Sequence, residues 1–121
     1  RFGLRTFLRW SEEQARRHGL TPAQHQLLLS IRGHRGDRGP TIKDAADKLL
    51  LKHHSAVELV DRAEAAGLLK RAPDPDDQRM VRLALTDAGK DKLQAVTILT
   101  LAQLDRMGDQ LRGVWDNLRD D

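Results

Sequence analysis

The stretch from Lys52 to Gly89 constrains the fold of this chain most. Ala56-Val57-Glu58-Leu59-Val60-Asp61-Arg62-Ala63-Glu64-Ala65-Ala66 has no proline or glycine, and Gly67 follows where a left-handed residue would end a helix. Polar residues that can cap a helix and project from its first turn, Lys52-His53-His54-Ser55, precede it. Leu68-Leu69-Lys70-Arg71-Ala72 then reads as one strand and Met80-Val81-Arg82-Leu83-Ala84-Leu85 as another, with Val81, Leu83 and Leu85 alternating at a period of two. Between them Pro73-Asp74-Pro75-Asp76-Asp77-Gln78 is a proline-fixed turn, and a contact between Asp77 and Arg79 at its tip would hold the turn's direction. The run closes on Leu85-Thr86-Asp87-Ala88-Gly89. A helix followed at once by a small hairpin is the unit of a winged helix-turn-helix.

The segments ahead of this unit supply its support. Phe2 to His18 reads as a helix with Phe2, Leu4, Phe7, Leu8, Trp10 and Ala15 as apolar positions, stopped by Gly19. A helix this rich in large side chains packs on a partner subunit, or else covers its own domain; the partner reading is favoured. Thr21, Pro22 and Gln24 form a helix start, with Thr21 as N-cap, proline at the first helical position and Gln24 closing a capping box. Leu20, Leu27, Leu28 and Ile31 are its buried face, and the helix ends near Arg32-Gly33. His34 to Pro40 is a loop by composition, and its Arg35-Gly36-Asp37 triplet is a chance match to an integrin motif.

Thr41 and Asp44 mark a second capping box, followed by Ala45, Ala46, Leu49 and Leu50 at helical spacing. Ile42 is placed to add one residue pair to the sheet. Leu50-Leu51 is the turn into the helix at 53–65. The buried stripe of that helix is Ala56 or Val57, Leu59 or Val60, and Ala63; Lys52, His53, Ser55, Glu58 and Arg62 face outward. After the hairpin, Thr86 or Asp87 caps a long helix to Arg106. Gly108 is expected to break it, and a short last helix starts at Asp109-Gln110-Leu111. Running on through Gly108 would cost only about 1 kcal/mol relative to alanine. Leu104, Met107, Leu111, Val114 and Leu118 step by three and four, a coiled-coil-like seam that reads as an intermolecular interface.

Composition narrows the function. The chain of 121 residues has no cysteine, which excludes disulfides, thiol redox sensing and cysteine-ligated zinc. No apolar run approaches the roughly 20 residues of a membrane span. Arg1 to Arg5 does not read as a signal peptide, so a cytoplasmic location is expected, and the first residue, Arg rather than Met, suggests that the chain starts inside a longer one. The net charge of +3 is uneven: +5 over residues 1–38, zero over 39–82 and −2 over 83–121. Bulk charge therefore argues little for nucleic acid, and individual side chains must carry that reading.

No catalytic constellation is present. His53 and His54 diverge by about 100° on a helix and cannot chelate one ion. His18, His25 and His34 are scattered, and tyrosine is absent. The acidic turn lacks the central glycine and distal glutamate of a calcium loop. Gly3, Gly108 and Gly113 do not form a phosphate loop. No enzyme activity, metal or cofactor is expected.

Leu59-Val60-Asp61-Arg62, Gly67-Leu68-Leu69-Lys70-Arg71, Asp77-Gln78-Arg79 and Leu85-Thr86-Asp87-Ala88-Gly89 occur in that order and at a spacing that resembles the MarR family of winged helix-turn-helix transcriptional regulators. The resemblance covers about residues 20–92. It implies an obligate homodimer on a pseudo-palindromic operator in double-stranded DNA, with Arg79 in the minor groove. It also implies release by a small anionic or phenolic ligand, as is common in the family. His53-His54 departs from the commoner Ser, Thr or Pro, so base preference does not carry over.

The expected architecture is mainly α with a small β wing. It is a single domain over 1–121, with a DNA-binding core at 20–87 and dimerisation helices at 1–19 and 88–121. In the leading reading the chain is a dimeric transcriptional regulator, a repressor. Lys52, His53, His54 and Ser55 face bases or nearby phosphates on a surface shared with Glu58 and Arg62, and Lys70, Arg71 and Arg82 contact or steer toward phosphates. The rival reading, favoured by the neutral charge of 39–82, is a winged-helix protein-interaction module without DNA binding.

Overall fold

The computed structural model describes residues 3–120. Among these the chain forms α1 (Leu4–Arg17), α2 (Pro22–Arg32), α3 (Ile42–Leu49), α4 (His53–Ala65), β1 (Leu69–Pro73), β2 (Val81–Leu85) and α5 (Asp87–Asp120). The strands pair antiparallel, from Leu69 opposite Leu85 to Pro73 opposite Val81. Phe2, assigned above to the first helix, lies outside the described residues. No helix among those described is long and apolar enough to cross a membrane.

Local chemistry sets the helix starts as expected. In α2 the Thr21 hydroxyl accepts from the Gln24 amide at 3.1 Å, and the Gln24 side chain accepts from the Thr21 amide at 3.1 Å. Thr41 and Asp44 make the same reciprocal pair at the start of α3. The start of α4 differs, because its N-cap is Lys52, which has no acceptor, and no side chain caps it. Three helices end alike, with an amide two or three residues past the end bonded back to the carbonyl five residues earlier: Leu20 to Ala15, Leu51 to Ala46 and Leu68 to Ala63. Each ending needs one left-handed residue. Gly19 and Gly67 supply two, but the third is Leu50, at φ 57°.

Leu50 is 92% exposed, so its side chain contributes almost no packing while its backbone sits where a Cβ is disfavoured by about 1–2 kcal/mol. Leu50→Gly is therefore expected to raise the thermal midpoint by a few degrees, read by circular dichroism. A lower midpoint would show that the leucine holds the turn in some other way.

The core lies where α2, α3 and α4 meet the hairpin and the first turns of α5. Leu20, Leu27, Leu28, Val60, Leu68, Leu83, Leu93 and Val96 are all at most 1% exposed. The stripe of α4 resolves to Ala56, Val60 and Ala63. Ile42 does not extend the sheet. Instead the carbonyl of Pro40 accepts from the Leu83 amide at 2.8 Å, and Gly39 lies so close that a Cβ there would stand 2.1 Å from the Leu83 carbonyl oxygen.

The Leu85–Gly89 exit has an equally concrete cause. The Thr86 hydroxyl donates to the Gly67 carbonyl and accepts from the Gly89 amide at 3.0 Å, so it caps α5 and pins that helix to the end of α4. Gly89 packs against Leu68, the residue before β1, where a Cβ would approach the carbonyl oxygen to 2.0 Å.

The expected break at Gly108 is absent: α5 runs unbroken from Asp87 to Asp120. One glycine costs about 1 kcal/mol. The flanking turns are good helix formers tied by Arg106–Gln103 and Arg112–Asp109 contacts, so continuity wins. At 1.5 Å per residue the helix is about 51 Å long. Leu93 and Val96 on its first turns are buried, while Leu104, Leu111, Val114, Trp115 and Leu118 are 46–69% exposed. On α1, Leu4 and Leu8 are likewise exposed at 73% and 52%.

Candidate nucleic-acid interface

The first turn of α4 is solvent-facing. Lys52, His53 and His54 are exposed and Ser55 is half-buried, and one and two turns on Glu58 and Arg62 are exposed as well. The side chains of all six make no hydrogen bond or ion pair within the described chain. Lys70 on β1 is exposed in the same way. The first turn also carries no acidic residue to repel an approaching anion.

The hairpin tip is built differently. The Asp77 carboxylate accepts from the Arg79 backbone amide and from its Nε, both at 3.1 Å. This contact, anticipated from the sequence, fixes the root of a guanidinium whose side chain is otherwise 91% exposed. Arg79 thus projects into solvent from a tethered base.

The other two basic residues of the hairpin are held within the protein. Arg71 pairs with Asp61 and Glu64 of α4 and is only 28% exposed. Arg82, 24% exposed, donates to Asp74 at 2.9 Å and to the Gly39 carbonyl at 3.3 Å. Either would have to leave an intramolecular partner to reach a phosphate.

Sequence reasoning missed Asp74, which is 2% exposed. One of its oxygens accepts from Arg38 at 2.8 Å and from the amides of Asp76 at 2.8 Å and Asp77 at 3.1 Å; the other accepts from Arg82. Asp76 pairs with the same Arg38. The carboxylates of the turn are therefore engaged by arginines. The available signal was an aspartate fixed between Pro73 and Pro75, with arginines on both sides in sequence.

The Asp76 amide chiefly, then Arg82, the Asp77 amide and Arg38, hold the Asp74 carboxyl far below the usual carboxylate range against the opposing effect of burial. The Thr41 amide lowers Asp44 in the same sense. Both groups are ionised in folded and unfolded chains above about pH 5, where their stabilisation is complete. As pH falls below that value the unfolded chain takes up protons first, and the stabilisation is lost. The thermal midpoint should fall steeply between pH 5 and pH 2, and less steeply in Asp74→Asn; equal slopes would remove Asp74 as a source. His25, buried in α2 beside Leu8 and Glu12 of α1, has its pKa lowered by desolvation.

The geometry is that of a two-helix motif with an outward-facing second helix and a tethered arginine on the hairpin behind it. A model of the MarR family matches residues 18–80, from the end of α1 through the hairpin turn. The chain belongs to the MarR family. It is 30% identical over 84 residues to the HTH-type transcriptional repressor MdtR of Bacillus subtilis, a match covering 69% of this chain and 52% of MdtR. The chain thus spans about half the length of that relative. In fold it is similar to MepR, a transcription regulator of the Staphylococcus aureus multidrug efflux pump MepA. There the TM-score is 0.80 at 20% identity, covering 96% of this chain and 87% of MepR. A MepR variant solved bound to an oligodeoxyribonucleotide aligns at a TM-score of 0.75 and 21% identity, over 94% of this chain and 91% of that one. The winged helix-turn-helix expected from the sequence is the observed fold.

Proposed function

We infer that this MarR-family chain is a sequence-specific DNA-binding transcriptional regulator that acts as a homodimer, and that it represses. The observation that carries this is the unpartnered, exposed first turn of α4, presented with a tethered and 91% exposed Arg79 on the hairpin. Lys52, His53 and His54 offer donors to base edges and phosphates, and Ser55 can donate or accept. Arg79 suits the minor groove, where narrow A·T stretches concentrate negative potential. Glu58, Arg62 and Lys70 flank these groups, and Arg71 and Arg82 support the wing from within. The repressor sense follows the name of MdtR, and release by a small anionic or phenolic ligand follows the family resemblance.

The dimer reading rests on α1 and α5, whose large apolar side chains stay exposed in a single chain. Core residues 20–87 would then read DNA, with 1–19 and 88–121 joining the subunits. The neutral charge of 39–82 still favours the rival interaction module. Selecting duplexes from a random pool and titrating salt separates the two. A DNA regulator should enrich a two-fold related sequence and lose affinity with a log–log salt slope of several units. No enrichment and a flat salt response would leave the interaction module standing.

A further inference from the structure

We propose that Asp74 is the residue that aims the wing: by gathering Arg38, Arg82 and the Asp76 and Asp77 amides onto one carboxylate, it sets the direction in which Arg79 leaves the hairpin. Asp74 sits at the exit of β1, where its own amide donates to the Met80 carbonyl at 2.8 Å and closes the turn. Its side chain then reaches in three directions. Two bonds go forward to the amides of Asp76 and Asp77, and Asp77 is the residue that tethers Arg79. One goes across the hairpin to Arg82. The last goes to Arg38, in the loop between α2 and α3, 36 residues earlier in the chain.

An isolated two-stranded hairpin is marginally ordered in water and bends freely. Here the Arg38 contact ties its tip to the loop at 33–40, and Arg82 repeats the tie by donating to Gly39 of that loop. Pro40 of the same loop bonds the Leu83 amide. The hairpin is thus anchored at its middle by backbone and at its tip by one buried carboxylate. Arg79 itself contributes to neither anchor, since its partner within the described chain is Asp77. Asp74 is therefore a positioning residue, two bonds removed from any DNA contact.

This inference rests on the proposed DNA contact by Arg79, so its test has one arm without DNA. In the free protein the Asp76 and Asp77 amides should exchange slowly with solvent, and Asp74→Asn should speed both. Rapid exchange of both amides in the unaltered protein would overturn the lock whether or not the chain binds DNA. With a fluorescein-labelled duplex recovered by selection, Asp74→Asn and Arg38→Gln should each weaken binding by about fivefold or more. In an Arg79→Ala background the same changes should cost less than about twofold further, because coupled residues are non-additive. A general loss of folding would instead lower affinity equally in both backgrounds, and that additivity overturns the proposal, as does full affinity in both single variants. Should Asp74→Asn fail to fold, Arg38→Gln carries the cycle alone, since Arg38 is an exposed loop residue and leaves the other contacts of Asp74 in place. Failure of the unaltered protein to select any duplex counts against the DNA reading, and amide exchange then decides the lock by itself.

Discussion

Arg79→Ala is expected to lower affinity for the selected duplex by more than tenfold while leaving the thermal midpoint and the oligomeric state unchanged. The two halves of that statement have separate grounds. Within the protein the Arg79 side chain hydrogen-bonds and ion-pairs only with Asp77 among the described residues, and it is 91% exposed. An ion pair in such a place contributes about 0–1 kcal/mol to stability, much of which water replaces. In a narrow minor groove the same guanidinium meets enhanced negative potential with its direction already set by the Asp77 tether. A tenfold change corresponds to about 1.4 kcal/mol, within the range of one good contact to DNA. Fluorescence anisotropy at fixed salt measures the first half, and calorimetry with light scattering the second. Equal binding by the variant would remove Arg79 from the interface, and a lowered midpoint would reassign it to the fold.

What could be read from the residues divides by distance along the chain. The capping boxes at Thr21–Gln24 and Thr41–Asp44 involve residues three apart, so side-chain chemistry alone specifies them. The Asp77–Arg79 tether spans two residues and was equally visible. Thr86 was one of two possible caps, and the choice fell to the one whose hydroxyl also reaches Gly67. Asp74 was hidden because its decisive partner lies 36 residues away and because an acidic turn suggests solvent, whereas this carboxylate is buried by the arginines it recruits.

The same recruitment explains Arg71 and Arg82. From sequence they are basic residues beside a recognition helix; in the fold Asp61, Glu64 and Asp74 engage them. The zero net charge of residues 39–82 is thus partly internal pairing, and the cations left without a partner, Lys52 and Lys70 among them, count for more at the surface than the total suggests. The break expected at Gly108 failed for a different reason. A helix-breaking tendency of about 1 kcal/mol is small beside the summed preference of the surrounding turns.

That continuous helix sets up the second large effect. Leu104, Met107, Leu111, Val114 and Leu118 form one stripe along the far half of α5, and the four besides Met107 are 46–69% exposed in the single chain. Leu111→Glu combined with Leu118→Glu should convert a dimer to a monomer. Glutamate is as good a helix former as leucine within a few tenths of a kcal/mol, so α5 itself should persist. Two substitutions remove four buried leucines from a two-fold dimer, on the order of 6–12 kcal/mol at 1.5–3 kcal/mol each. This amounts to at least ten-thousandfold in the dimer dissociation constant. Sedimentation should show monomers at micromolar concentration with unchanged helical circular dichroism. Affinity for the selected duplex should fall by about a hundredfold or more, because the two recognition helices then bind as separate molecules and lose their effective concentration. A variant that stays dimeric would move the interface off this stripe and onto other exposed apolar side chains, among them Leu4 and Leu8 of α1 and Trp115 of α5.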